Sequence, residues 1–305
     1  MLKIVNLTKR YGAFTALDGL HLDIGAGVLH GFVGPNGAGK TTTMRILATL
    51  LSATSGDAFI DGINVRERPK DIRRLVGYMP DFFGVYDGLK VSEYLDFYGS
   101  CYGLSVNERR KMTDQLLELV MLTDKREAYV DTLSRGMKQR LCLARSLIHD
   151  PKLIILDEPA SGMDPRARAE MKGILRTLKD LDKTVLISSH ILPELSELCD
   201  SLSIIDRGRL IFSGNMEELA VHMRGDAPLV IRVGDDTELA VRLLKESEGL
   251  AGLEMDEDGA LRADFTGDQA ALLRKLVSAG VPVSDFHRQP VNLETVFMEV
   301  TRHDA

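Results

Sequence analysis

The segment Gly34-Pro-Asn-Gly-Ala-Gly39-Lys40-Thr41 constrains this chain more than any other. A glycine, four residues, then Gly-Lys-Thr leaves little choice of local structure. The glycines let backbone N–H groups turn inward with no Cβ in the way, and a loop of that kind cradles phosphate oxygens. The apolar, β-prone run Val28–Val33 precedes the loop and helical spacing follows it. The helix therefore starts near Lys40 and turns its positive end toward the anion. In this pattern Asn36, Gly37, Ala38, Gly39, Lys40, Thr41 and Thr42 surround the phosphates of a nucleoside triphosphate. Lys40 reaches its β and γ groups, and the Thr41 hydroxyl binds Mg2+.

A second run, Leu153-Ile-Ile-Leu-Asp157-Glu158-Pro159, puts two carboxylates at the end of an apolar strand. In an open parallel sheet, ligands gather beyond the carboxyl ends of the strands, which is also where the glycine loop sits. Asp157 is placed there to hold Mg2+ through water. Glu158 suits the polarising of an attacking water, a general-base task. Alone, the pair reads as a solvated acidic turn; beside a phosphate cradle it acquires chemistry.

The rest of the chain supplies the frame. Val28–Val33, Leu153–Leu156, Val185–Ser188 and Leu202–Ile205 are apolar without alternation, as in a parallel sheet covered on both faces. Residues 1–25 and 56–66 alternate and carry turns such as Asp61-Gly62, which predicts an antiparallel flank. From about 90 to 150 the pattern is helical, with Ser92 and Asn107 at expected N-caps and Met112, Leu116 and Val120 at helical spacing. The expected fold class is α/β: a mostly parallel sheet with an antiparallel flank and a helical insertion over residues 1–223. A smaller α+β domain follows over 224–305. Gly225-Asp-Ala-Pro228 reads as the linker, and the strand and helix runs after it follow a βαββαβ order, which predicts a ferredoxin-like domain. A last helix is expected over Asn292–Thr301.

Charge narrows the function. The chain carries a net charge of −7, and from Gly225 onward 8 basic residues face 16 acidic ones. An acidic tail on a near-neutral body is a poor polyanion binder, so no nucleic acid is expected as partner. No run of about 18 apolar residues exists to span a bilayer, and the first residues lack the pattern of a signal peptide. Three widely spaced cysteines, Cys101, Cys142 and Cys199, suit a reducing cytoplasm better than a disulfide framework.

Further motifs carry a resemblance. Leu133-Ser134-Arg135-Gly136-Met137-Lys138-Gln139-Arg140 resembles the signature motif of ABC-type ATPases, and Arg140 lies 17 residues ahead of Asp157, as in that family. Ser161-Gly-Met-Asp164 resembles the D-loop, His190 the switch histidine, and Tyr11 the aromatic residue that stacks on adenine. The likeness covers about residues 1–220. The tail from Asn292 to Thr301 is similar to the C-terminus of ATPase subunits of ABC-2-type exporters. The resemblance implies ATP with Mg2+ as ligands and two copies facing head to tail as a homodimer. Ser134 and the Gly136 N–H would then cap the γ-phosphate on the opposite copy, while His190 holds it from its own and Asp164 communicates across the interface. Catalysis falls to Glu158, His190 and Lys40. The implied partner is a transmembrane permease on a separate chain, which places the protein on the inner face of the cell membrane. The segment from Asp81 to about Tyr98 would line the groove for a permease helix, with Phe82, Phe83, Val85 and Tyr86 serving either that surface or the local core.

Two departures stand out. Asp81 replaces the usual Gln after Gly77-Tyr-Met-Pro80; it joins Thr41 and Asp157 as a candidate metal ligand but adds negative charge. Arg135 and Met137 replace the usual Gly and Gln of the signature, and Arg135 is placed to contact nucleotide, ribose or a neighbouring subunit. The alternative reading is a soluble ABC ATPase acting on ribosomes or nucleic acid. One cassette, no coiled coil and an acidic tail weigh against it. A regulatory subunit with weak hydrolysis is disfavoured by Glu158.

Overall fold

The computed structural model describes residues 1–81, 84, 88–215, 217–219, 228–234, 237–256 and 258–288. The chain divides into two compact units, Met1–Met216 and Glu217–His303.

In the first unit, β1 (Leu2–Tyr11), β2 (Phe14–Ile24), β4 (Ser55–Ile60) and β5 (Ile63–Asn64) form an antiparallel sheet in the order β2-β1-β4-β5. Asp61 and Gly62 join β4 to β5 at φ 52° and 77°, the two-residue turn that matches strand twist. The second sheet comprises β3 (Leu29–Val33), β6 (Val76–Met79), β7 (Leu153–Leu156), β8 (Thr184–Ser189), β9 (Ser201–Asp206) and β10 (Arg209–Asn215). Its order is β10-β9-β3-β8-β7-β6, parallel throughout except for β10 at the edge. Every residue of β3, β7 and β8 is buried, which is why these strands read as largely apolar runs without alternation.

A histidine interrupts β3. His30 on β3 sets Nδ1 2.7 Å from Ser201 Oγ and Nε2 2.8 Å from Ser203 Oγ, and Ser203 pairs with Ser213 at 2.8 Å. Burial pushes its imidazole down to about 4, so the ring is neutral near pH 7.

Helices α1 (Lys40–Leu47) and α2 (Pro69–Leu75) precede the helical insertion of α3 (Val91–Cys101), α4 (Val106–Leu119) and α5 (Arg135–Leu147). The first two inserted helices begin earlier than expected, so Ser92 and Asn107 lie inside them. Ser105 Oγ accepts the Glu108 N–H at 3.4 Å while Glu108 accepts the Ser105 N–H at 2.7 Å, a reciprocal cap. At α3 the Lys90 N–H donates to the Glu93 carboxylate at 2.8 Å. Buried Arg140 fastens the insertion: Nη1 donates to Val120 O at 2.9 Å, and Nη2 lies 3.3 Å from Glu170 on α6 (Pro165–Asp180). A short helix, α7 (Leu192–Ser196), follows β8.

The second unit runs β11 (Leu229–Val233), α8 (Thr237–Lys245), β12 (Leu250–Met255), β13 (Leu261–Phe265), α9 (Gln269–Ser278) and β14 (Val283–Arg288). Its antiparallel sheet has the order β12-β13-β11-β14. Leu229, Ile231, Leu244, Phe265 and Leu276 form its own core. The linker residues Gly225 to Ala227 and the expected helix Asn292–Thr301 lie outside the described residues. Among the described residues no helix is long and apolar enough to cross a membrane.

Candidate active site

The loop after β3 is wedged between the two sheets of the first unit. A Cβ on Gly34 would lie 2.3 Å from Ile205 O on β9, and one on Gly39 (φ 108°) would lie 2.7 Å from Leu17 Cδ2 on β2. Packing therefore demands glycine at both positions. Helix α1 starts at Lys40, whose side chain is buried and curls back over the loop. Its Nζ donates to Gly34 O at 2.6 Å and to Pro35 O at 3.2 Å, and lies 3.6 Å from Glu158 Oε1. Burial lowers the affinity of the Lys40 amine for its proton, while the Glu158 and Asp157 carboxylates oppose that shift.

Asp157 and Glu158 follow β7, and the parallel register Leu156↔Ile187 brings Ser188 of β8 beside them. The Ser188 hydroxyl donates to Asp157 Oδ1 at 2.8 Å and accepts the Glu158 N–H at 2.9 Å. Asp157 is buried; desolvation raises its pKa above the ordinary carboxylate value, and hydrogen bonds from Ser188 and Thr41 pull it back. Its Oδ2 is buried with no hydrogen-bond partner. A buried carboxylate oxygen lacking a donor, with the Thr41 hydroxyl on the same group, fits a hard oxygen-seeking cation such as Mg2+. Glu158 sits at φ 50°, left-handed for a residue that is not glycine. Its Oε2 lies 2.9 Å from His190 Nδ1, so the carboxylate bridges His190 and Lys40.

Tyr11, Asn36, Gly37, Gly39, Lys40, Thr41, Thr42, Asp81, Glu158 and His190 line one cleft of about 390 Å3. Asp157 is buried next to Thr41. The Ala38 N–H donates to Pro35 O at 3.2 Å, within the loop. Ser134 and Gly136 are not among the residues lining this cleft. They sit at the start of α5, where Ser134 Oγ accepts the Met137 N–H at 3.3 Å. Asp164 caps α6, its Oδ1 accepting the Ala167 N–H at 2.9 Å. Phe82, Phe83, Val85 and Tyr86 lie outside the described residues. Asp81 is exposed, yet its pKa is raised by the desolvation it does suffer and then by Asp157 and Glu158; Arg135 and His190 pull it down.

Sequence reasoning missed two residues of this region, Phe14 and Ser188, and the place of a third, Ser161, which it assigns to the D-loop. Phe14 lines the cleft, at the hairpin that also presents Tyr11, with its ring exposed; its position beside a turn glycine was the available signal. Ser161 lines the cleft from the loop after Glu158. Ser188 orders both carboxylates, but only strand register reveals that.

The profile of the ABC transporter family matches residues 17–161. The Nod factor export ATP-binding protein I of Ralstonia nicotianae is 37% identical over 307 residues, covering 99% of this chain and 94% of that protein. A daunorubicin resistance ATP-binding protein of Streptomyces coeruleorubidus is 36% identical over 301 residues, covering 97% of this chain and 94% of that protein. Among solved structures, a dimeric ATP-binding cassette in a post-hydrolysis state, bound to ADP and Pi, superposes with a TM-score of 0.65. It is 25% identical and covers 71% of this chain and 99% of that one.

Proposed function

This chain belongs to the ABC transporter family and is one of its ATPases, and on that premise we propose that it powers a separate membrane permease for export. It binds ATP with Mg2+ in the cleft at Lys40, pairs with a second copy, and works at the inner face of the membrane. The relatives named for Nod factor export and for daunorubicin resistance support the direction of transport. A second cleft of about 240 Å3, lined by Leu50, Arg73, Tyr78, Tyr98, Tyr102 and Arg145, supports a landing place for a permease helix. Leu50 and Tyr102 expose apolar surface at that cleft.

One observation carries the chemistry: Glu158 is held at every polar group. Its N–H is on Ser188, one carboxylate oxygen is at His190 and the other faces Lys40. A carboxylate fixed in that way orients a water for in-line attack on the γ-phosphorus. The water oxygen bonds to phosphorus as the bond to the β–γ bridging oxygen breaks, ADP leaves, and Glu158 takes the water's proton. Lys40 offsets charge on the phosphate oxygens. His190, with Nδ1 toward Glu158, keeps Nε2 for the γ-phosphate. Thr41, Asp157 and Asp81 are the candidate ligands that would hold Mg2+, which would supply positive charge to the phosphate oxygens. Ser134 and Gly136 of one copy complete the site of the other.

Glu158→Gln should retain ATP binding while turnover falls by about 10²- to 10⁴-fold. A variant hydrolysing at the wild-type rate refutes Glu158 as base. Native protein that elutes with ribosomes and never with a membrane protein refutes the permease partner.

A further inference from the structure

Two side chains of α5 converge on one carbonyl in the loop that follows Glu158. Gln139 Nε2 donates to Ser161 O at 3.0 Å, and Arg135 Nη2 donates to the same oxygen at 3.3 Å. Arg135 is exposed, whereas Gln139 is only 3% exposed. The loop closes on itself as a turn, since the Ser161 N–H donates to Glu158 O at 3.0 Å. Both backbone groups of Glu158 are therefore engaged, its N–H by Ser188 Oγ of β8 and its C=O by the Ser161 N–H. A glutamate at φ 50° keeps that conformation only where its surroundings hold it there. Ser188 holds one side of the residue, and the turn anchored by Gln139 holds the other.

Stability alone does not account for a glutamine at this place. Its Oε1 is buried and has no hydrogen-bond partner among the described residues. A buried amide with one end unpartnered carries a desolvation cost that its single bond to Ser161 O hardly offsets. An apolar side chain of similar length would fill the site, and Ser161 O would keep Arg135 as a donor. Such a side chain could not fix the direction of the carbonyl. The exposed guanidinium does so less firmly than the buried amide, because it keeps more of its rotamer freedom.

Resting on the reading of Glu158 as the base, we propose that Gln139 is a positioning residue for ATP hydrolysis. From the signature helix it anchors Ser161 and, through the Glu158–Ser161 turn, holds the base of its own subunit in its strained conformation. Gln139 touches no reacting atom; it acts through Glu158. The helix that opens at Ser134 thus also steadies the carboxylate in its own subunit's cleft.

Steady-state hydrolysis of Mg-ATP by the full-length chain tests this, with thermal melts of the same samples. Gln139→Met keeps the length of the side chain and removes the donor. Its kcat should fall about fivefold to tenfold, the scale of a slightly misplaced catalytic group. KM for ATP should stay within about twofold of wild type, and the melting midpoint within about 3 °C. In a Glu158→Gln background, where residual turnover is followed with radiolabelled ATP, adding Gln139→Met should change the rate by less than about twofold. If Gln139→Met does not fold, Gln139→Asn, whose amide is one methylene shorter, serves in both backgrounds. An equal loss with and without the Glu158 carboxylate overturns action through the base. A rise in KM at unchanged kcat, or a melting midpoint that drops along with turnover, overturns the positioning role. Glu158→Gln that hydrolyses at the wild-type rate by itself sinks the reading of Glu158 as base, a result distinct from either.

Discussion

The phosphate loop and the signature are both short, glycine-containing segments that lead into a helix, yet the first unit treats them differently. At both ends of the loop neighbouring atoms leave no room for a Cβ: Gly34 abuts Ile205 O and Gly39 abuts Leu17 and Ala16 O, from two different sheets. At the signature, Ser134 and Arg135 are exposed, and a Cβ on Gly136 would meet only Ala167 Cβ, at 2.9 Å. The loop is shaped by its own chain before any ligand arrives, and its cleft gathers Lys40, Thr41, Glu158 and His190. The signature offers a capped helix start whose Arg135 and Gln139 reach Ser161 O, while Ser134 and Gly136 lie outside the cleft lining. One half of the chemistry is finished within the fold, and the other half is presented outward.

Substitutions can break that contrast. After the loss of turnover expected for Glu158→Gln, the largest effect belongs to Lys40→Ala. Titration of the monomer with ADP and with ATP should show affinity weakened roughly 10- to 100-fold for both, the scale of a charge-assisted hydrogen bond to phosphate. Unchanged affinity would mean that the loop does not grip phosphate. Ser134→Ala should separate the two halves. ADP affinity of the monomer should stay within about twofold of wild type, while ATP-driven association, followed by sedimentation, weakens about tenfold, worth about 1.4 kcal/mol. A parallel fall in ADP affinity would place Ser134 in its own cleft and erase the contrast.

A smaller effect probes the rigidity of the strand behind the loop. His30 is neutral when folded, with its pKa lowered from 6.5 to about 4 by burial. The folded state then binds fewer protons than the unfolded chain, so stability is full above pH 6.5 and falls as the pH drops toward 4. Between pH 6.5 and 5.5 the loss is roughly 1 kcal/mol, or about 2–4 °C in melting midpoint. His149, also lowered by burial, acts in the same direction. Thermal melts of His30→Asn should lack the His30 share of this slope; an undiminished slope would remove His30 as its source.

The contrast also explains what could be read from sequence. The glycine loop, the acidic strand end and the buried strands are local patterns whose meaning needs only neighbours along the chain. In the second unit the described elements likewise follow the βαββαβ order that the runs along the chain predict. Ser188 was invisible because its role depends on the register of β7 against β8, and a serine near the end of an apolar strand is common. Phe14 gained its place from a hairpin that folds it over beside Tyr11. The caps at Ser92 and Asn107 were misplaced although Ser105-Val-Asn-Glu108 carried the reciprocal signal. The contact between Arg135 and Ser161 joins a helix start to a loop 26 positions away, a distance no periodicity spans.

Glu158 occupies the left-handed region of backbone space, a conformation that costs a residue with a side chain about 1 kcal/mol or more. Selection for robustness and selection for turnover therefore pull in opposite directions at this one bond. Glu158→Gly, dead as an enzyme, should melt above Glu158→Ala, equally dead, because only the glycine relaxes there; equal melting would deny the strain. A lineage that lost the need to hydrolyse would have a downhill path at this position.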